Sequence, residues 1–559
     1  MSERKHIATR EGGAAFVGRI RALWRTPLRV LLIAFLAALP VLVVASSLLT
    51  PSREVWVSLA QTLLPEMARN TLVLLLGVGL GTFVLGVGLA WLVTAYVFPG
   101  RNLLEWMLVL PMAVPTYVQA FVYMATFDFA GPVQSFLRSH FGTSEWFPEI
   151  RSGTGAIVVM VLVLYPYVYL LARAGFKEQS GAAIEAARVM GYRPFQVFLR
   201  VVLPLARPSV IAGVTLAIME ALADFATVRL FNFPTLADGV IRVWHGMMDV
   251  GAASELAGLL AFVALGIVLL ERAARGRSRY FQTGGKAPGI VPVSLSGWKG
   301  ALALAACLAI LGVAFVLPVA QLASWGLREM AMAPAGTMAV YAELARNSLT
   351  LAGVAAVFAV ATAVILMSGA RQSGNKISLG LARLATVGYA IPGAVIAVGV
   401  IVPLSAFDHA LNDMLEAWRG VSVGLVLTGS IAGLIYAYVV RFIAVGYNSV
   451  ESSMEKITPN ITAAARVLGA GPWRMLWRVH LPLIAPGLLT GAILVFVDVL
   501  KELPITLMLR PFGYDTLAVW VWQAAAESAW AGASLPALGI VLVGLVPVAI
   551  FVRLAARNE

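Results

Sequence analysis

The sequence predicts an all-α integral membrane protein of about 12 transmembrane helices, arranged as two parallel six-helix repeats. Three observations lead there. The 559 residues are 60% hydrophobic and only 12% charged, with a mean hydropathy of +0.87, whereas soluble chains carry about a quarter charged residues. Apolar runs of the length needed to cross a bilayer, about 20 residues, recur twelve times. One polar phrase then appears twice, displaced by 278 residues.

The twelve runs lie near residues 28–50, 70–98, 104–127, 155–174, 208–231, 253–271, 300–325, 347–369, 381–406, 421–443, 487–509 and 532–555. The first, at about 22 residues, exceeds the 7 to 15 of a signal-peptide core and is expected to be retained as a helix. The formal charge of +13 concentrates between runs, in Arg4, Lys5, Arg10, Arg19, Arg21 and Arg25, then Arg272, Arg275, Arg277, Arg279 and Lys286. That distribution follows the positive-inside rule and argues against a nucleic-acid partner. It orients the chain with both termini cytoplasmic and makes 175–207 and 444–486 cytoplasmic segments. The single cysteine, Cys307, excludes an intrachain disulfide, and the five histidines lack the spacing of a zinc site.

The repeated phrase runs Glu185-Ala186-Ala187-Arg188-Val189-Met190-Gly191 through Pro194 to Leu203-Pro204-Leu205. Its second copy is Ala463-Ala464-Ala465-Arg466-Val467-Leu468-Gly469 through Pro472 to Leu481-Pro482-Leu483. Arg69-Asn70-Thr71-Leu72 is likewise echoed by Arg346-Asn347-Ser348-Leu349, Pro115 by Pro392, and Thr235-Leu236-Ala237 by Thr516-Leu517-Ala518. A nearly constant offset means duplication and fusion. Six spans is an even number, so the halves share one orientation, and parallel repeats of this kind place a substrate path at their interface. The expected domains are 1–271, a first repeat with a basic amino terminus; 272–299, a Gly- and Pro-containing linker; and 300–559, the second repeat.

Each phrase reads as a helix, a sharp turn at glycine and a second helix. In the first copy Phe195, Val197, Phe198 and Leu199 are expected to anchor one side, with Arg188, Arg193 and Arg200 at the surface. Such an elbow suits either a protein-docking knob or an amphipathic element lying on lipid headgroups.

The doubled phrase resembles the EAA loop of ATP-binding-cassette (ABC) importer permeases of type I, and the chain after about residue 55 resembles the fused iron(III) permeases of that class. The narrower likeness rests on Thr235-Leu236-Ala237, on Ile241-Arg242-Val243-Trp244-His245-Gly246-Met247 with Asp249, on Lys501-Glu502-Leu503-Pro504 and on Leu509-Arg510-Pro511-Phe512. The resemblance implies the type I permease fold and a bacterial inner-membrane location. It makes Glu185, Ala186, Ala187, Arg188, Gly191, Ala464, Ala465, Arg466 and Gly469 the coupling elements that meet two ATPase subunits. A periplasmic ferric-ion-binding protein is implied on the outer side. Where the first copy has Glu185 the second has Ala463, so the two elbows need not be equivalent. No Gly-x-x-x-x-Gly-Lys-Ser/Thr occurs in the chain, so no P-loop cradles a nucleotide. The expectation is a transport subunit without catalytic residues or cofactor of its own, ATP and Mg²⁺ belonging to the partner ATPase.

The same register pairs acids inside the fifth and eleventh runs: Glu220 with Asp498, and Asp224 with Glu502. Each pair is spaced four apart, as on one helix face, and the first acid lies about 18 Å along its run. Ionisable groups at such depth face a cavity, a partner or a pathway. The sharp reading makes Glu220, Asp224, Asp498, Lys501 and Glu502 path residues, the four acids giving transient contacts to Fe³⁺ and no stable metal site. The plain reading pairs Lys501 with Asp498 or Glu502, and Arg229 with another acid. Pro111, Pro115 and Pro392 are placed either to break helices for gating or to kink them statically. Tyr165, Tyr167, Tyr169, Tyr436 and Tyr438, with Arg173 and Lys177 nearby, read as an interfacial belt. The expected function is ATP-driven alternating access for ferric iron. The alternatives are an ABC permease for thiamine, polyamine, phosphonate or another small solute and, in another class, a proton-coupled secondary transporter.

Overall fold

A computed structural model describes residues 28–49, 51, 53–179, 181–247, 249–275, 291–373 and 376–556. Among these, eleven helices are long and apolar enough to cross a membrane, and a bent pair, Arg101–Ala113 with Thr116–Phe141, makes a twelfth. Each of the twelve apolar runs has its helix or helix pair. The basic residues from Arg4 to Arg25, and Arg277, Arg279 and Lys286 of the linker, lie outside the described residues.

The third run is two helices at 90° to one another. Val114 sits in extended backbone (φ −92°, ψ 120°) and Pro115 caps the next helix. In the second half Ile391 (φ −96°, ψ 132°) precedes Pro392, which caps Gly393–Arg419. The cause is local: a proline ring pushes the preceding residue out of the helical region, and a β-branched residue accepts the extended form readily. Both prolines therefore break their helix.

Prolines also mark three π-helical segments among the described residues, Phe198–Val202, Gly312–Val316 and Leu476–His480. Each is followed at once by Leu-Pro: Leu203-Pro204, Leu317-Pro318 and Leu481-Pro482. Proline has no N–H for the carbonyl four residues back and its ring collides with that carbonyl, so a widened turn relieves the clash without ending the helix.

The tenth run begins later than hydropathy suggests. Residues 420–429 form no helix, and the span is Ile431–Glu455. Their N–H groups are taken up by side chains of the preceding helix: Asn412 Oδ1 accepts from Val423 and Gly424 at 2.8 and 3.0 Å, and Asp408 Oδ2 accepts from Thr428 at 2.8 Å.

Packing divides the chain into two compact units, 1–46 with 348–514 and 47–347 with 515–559. These are a different division from the sequence repeats. In the first unit the opening helix, Leu28–Ser47, buries Val30, Ala34 and Ala37 in a cluster with Val360, Leu366 and Tyr447. In the second, Leu64–Ala95 and Gly153–Lys177 share a core with Leu203–Ala223. Two short parallel strands, Tyr96–Val97 and Val293–Ser294, tie the end of the expected linker to the first repeat.

Three of the five tyrosines lie in the core instead of a belt, and Tyr167 and Tyr436 are half-buried. Tyr165, Tyr169 and Tyr438 are fully enclosed, and each hydroxyl is satisfied internally: Tyr165 donates to the Leu108 carbonyl at 2.8 Å, Tyr169 to the Glu105 carbonyl at 2.7 Å, and Tyr438 meets Thr506 Oγ1 at 2.6 Å. Arg173 is buried as well, paired with Glu105 and lying 4.4 Å over the Trp106 ring; Lys177 reaches the same carboxylate at 2.9 Å. Burial of an aromatic body requires a partner for its polar tip, and broken helices supply free carbonyls there.

Candidate functional site: paired elbows and broken helices

The first elbow is Gly181–Val189, a turn at Gly191, then Pro194–Val197 running through the π segment into Leu203–Ala223. Gly191 has φ +84°. Its N–H donates to the Arg188 carbonyl at 2.9 Å, and the Tyr192 N–H donates to the Ala187 carbonyl at 3.1 Å. These two bonds make a Schellman cap, in which the residue after the helix takes the left-handed conformation that glycine adopts without strain. The second elbow repeats it: Gly469 has φ +78°, its N–H donates to Arg466 at 3.0 Å, and the Ala470 N–H donates to Ala465 at 3.0 Å. The Gly of the repeated phrase is thus the cap that turns the chain.

The two alanines play different parts. Ala187 and Ala465 are buried while Ala186 and Ala464 are exposed. Arg188, Arg193, Arg200 and Arg466 lie at the surface. Val197 is buried and Phe198 packs on Trp91 and Phe176, as anchors should. Phe195, at 71% exposure, and Leu199 are not anchors. Four large apolar side chains project from each elbow at matched positions: Val189, Met190, Phe195 and Leu199 on one, Val467, Leu468, Trp473 and Trp477 on the other. Exposed apolar groups held at two equivalent tips mark a surface for either a protein partner or lipid. Glu185 is exposed and makes no hydrogen bond or ion pair among the described residues, so its replacement by Ala463 removes no internal fixing contact.

Two of the four acids, Asp224 and Glu502, sit where helices end, while Glu220 and Asp498 lie within the last turns before those ends. Leu203–Ala223 stops at Asp224 (φ −87°, ψ 98°), which caps Phe225–Leu230: Oδ1 accepts from the Thr227 N–H at 2.9 Å and Oδ2 from its hydroxyl at 2.6 Å. In the second half Leu481–Leu500 ends before Glu502, whose Oε2 accepts from the N–H groups of Ile505 and Thr506 at 3.0 and 3.2 Å. The shared helix face expected for Glu220 with Asp224, and for Asp498 with Glu502, is therefore lost. A carboxylate that caps a new helix has left the old one.

Lys501 Nζ stands 3.0 Å from Asp498 Oδ1, both partly exposed. Arg229 pairs with the fully buried Asp238 at 3.4 Å, which Arg242 also meets at 2.9 Å. Glu502 pairs with Arg441 at 3.1 Å instead of Lys501. Arg441 escaped sequence reasoning because the first repeat has Val163 in its place; the signal was a lone arginine in an apolar span. Glu220 is half-buried. Among the described residues no group of three or more His, Cys, Asp or Glu side chains is placed to hold a metal ion.

A twelve-span helical protein carrying two matched elbows has the architecture of a membrane transport subunit. The model of the family described as "Binding-protein-dependent transport system inner membrane component" matches residues 82–271 and again 359–559, and the chain belongs to that family. It is 25% identical to the Fe(3+)-transport system permease protein FbpB 2 of Haemophilus influenzae, over 88% of this chain and 90% of that protein. It is 23% identical to that organism's putative ferric transport system permease protein FbpB 1, over 84% and 74%. Among solved structures, a bacterial ABC transporter involved in the import of the acidic polysaccharide alginate matches at a TM-score of 0.36 with 18% identity, covering 42% of this chain and 88% of that one.

Proposed function

We propose that this chain is the permease of an ABC importer that moves ferric iron across a bacterial inner membrane by ATP-driven alternating access. The observation that carries the coupling half of this reading is the pair of glycine-capped elbows, each leading through a π turn into a span that ends at an acidic helix break. Two ATPase subunits, supplying ATP and Mg²⁺ chemistry, dock on the elbows, and the exposed apolar tips enter their surfaces. Because each elbow is continuous with its span, closure of the ATPases moves that span as a lever. A secondary transporter has no use for two matched docking knobs.

The iron half rests on the two ferric permeases to which the chain is similar along most of its length. A periplasmic ferric-ion-binding protein delivers the cargo. Within their own halves, Glu220 with Asp224, and Asp498 with Lys501 and Glu502, belong to the translocation path. Glu220 and Asp498 are the carboxylates for passing contacts with a hard cation, which favours oxygen donors; Asp224 and Glu502 shape the breaks. The two sequence repeats, 1–271 and 300–559, are the functional halves and 272–299 their cytoplasmic link, with both termini on the ATPase side. ATP-dependent uptake assayed with radiolabelled ferric iron, and in parallel with labelled thiamine and polyamine, tests the cargo. Iron alone is expected to accumulate; uptake of thiamine without iron overturns the assignment.

A further inference from the structure

A cavity of about 700 Å³ opens between Leu64–Ala95 and Leu203–Ala223, within one packed unit. Its residues on the second helix, among them Arg207, Ile211, Val214 and Ile218, fall at the three- and four-residue spacings of one helix face. The facing wall is Leu76, Gly79, Leu80 and Phe83. The two helices touch at Gly79, where an added Cβ would lie 2.9 Å from Ile218 Cδ1. From there the groove runs toward the elbow and reaches Arg207.

Three features define what fits. The lining is apolar apart from Thr215 and Arg207. Its mouth joins an exposed apolar stripe, Leu72, Leu76, Leu80 and Val84, repeating every four residues on the outer face of Leu64–Ala95; in a membrane protein such a stripe meets lipid tails. Arg207 is exposed and makes no ion pair or hydrogen bond among the described residues. From Arg207 to Ile218 the helix rises about 16 Å, close to half of a hydrocarbon core about 30 Å thick, which is the depth of one leaflet.

We propose that this groove holds an acyl chain of an anionic phospholipid from the elbow-side leaflet, with the lipid phosphate on Arg207. A cation at the headgroup end of an interhelical groove is the recognised chemistry of acidic headgroup binding, and the volume lies within the roughly 300–1,000 Å³ of ligand sites. The second repeat carries Ala485 where the first has Arg207. The site therefore belongs to one half, and a bound lipid braces only the span that follows the first elbow.

The test uses the full-length permease in nanodiscs of equimolar phosphatidylglycerol and phosphatidylcholine, with a photoactivatable acyl chain on one lipid at a time and retained lipid read by native mass spectrometry. The expected result is about fivefold preference for phosphatidylglycerol, the effect of one basic residue at an anionic surface, with label on residues 75–83 or 203–218. Arg207→Gln should abolish the preference and Arg207→Lys keep it. Val214→Trp, which fills the groove, should lose both lipids from these peptides. Equal retention of the two lipids by the unaltered protein, unchanged preference in Arg207→Gln, or label confined to other helices overturns the proposal. Displacement of the lipid by millimolar inorganic phosphate overturns it too, because it marks a site for a free anion.

Discussion

Arg441 and Glu502 form an ion pair at 3.1 Å, their side chains only 12% and 2% exposed, at the point where the eleventh span breaks. The same carboxylate caps the helix Pro504–Leu509, so one side chain both neutralises a buried cation and fixes the direction of the chain after the break. Gly393 lies against both partners: an added Cβ would meet Arg441 Nη1 and come within 2.6 Å of Glu502 Oε1.

Removing one partner of this pair leaves a buried charge alone, which costs about 3–5 kcal/mol. Arg441→Met and Glu502→Ala should each lower the thermal unfolding temperature of the purified protein markedly. The double substitution should be less destabilised than the sum of the singles. Gly393→Ala should resemble them, since the methyl group displaces the pair; equal stability of Gly393→Ala and the unaltered protein would contradict the geometry.

Gly191→Ala and Gly469→Ala place a side chain at positive φ where nothing lies within 4 Å of the new carbon. The cost is backbone strain alone, about 1–2 kcal/mol. The protein should remain folded and monodisperse while transport per ATP hydrolysed falls in the reconstituted complex. Asparagine, which tolerates this conformation better, should be milder at both sites.

Phe195→Ser and Leu468→Ser remove apolar side chains that are 71% and 85% exposed. Thermal stability of the isolated permease should change by less than about 0.5 kcal/mol, as for other surface positions. Co-purification of the ATPase subunit should drop. A loss of stability without loss of the partner would assign these side chains to the permease's own packing.

Asp224 is tested by two substitutions with different expectations. Asp224→Asn keeps an oxygen for the Thr227 N–H and should preserve stability, whereas Asp224→Ala loses the cap at about 1 kcal/mol. Because Asp224 shapes the break and leaves the passing contacts to Glu220 and Asp498, Asp224→Asn should keep iron uptake as well; loss of uptake at preserved stability would make its carboxylate a cargo contact.

Legibility in the sequence followed the range of the physics involved. Hydropathy and the 278-residue register were enough for the twelve spans, the two elbows and the glycines that turn them, because each depends on neighbours in sequence. The span ends were less legible: Asp408 and Asn412 hold residues 420–429 out of a helix through bonds formed only after folding. Register and helical rise mark the four acids, but a four-residue spacing reads as one continuous helix, whereas Asp224 and Glu502 each take up an N–H group of a new one. Asn70 donating to the Pro234 carbonyl at 3.0 Å, and Asn347 to that of Asp515 at 3.1 Å, give a folded reason for the repeated Arg-Asn phrase. Arg441 stayed hidden because Val163 stands at its repeat position, and Glu105 because its pair with Arg173 joins two helices far apart in sequence.

The central claim is that both elbows pass ATPase movement to the membrane helices. Its most direct measurement is ATP hydrolysis and ferric iron uptake, recorded together in proteoliposomes holding the permease, its ATPase and its binding protein, with residues 185–191 and 463–469 replaced by unrelated flexible linkers singly and together. Uptake is predicted to fall at either replacement and to vanish with both, while the permease still inserts as a monodisperse protein. Uptake at the original rate per ATP with both elbows replaced would contradict it.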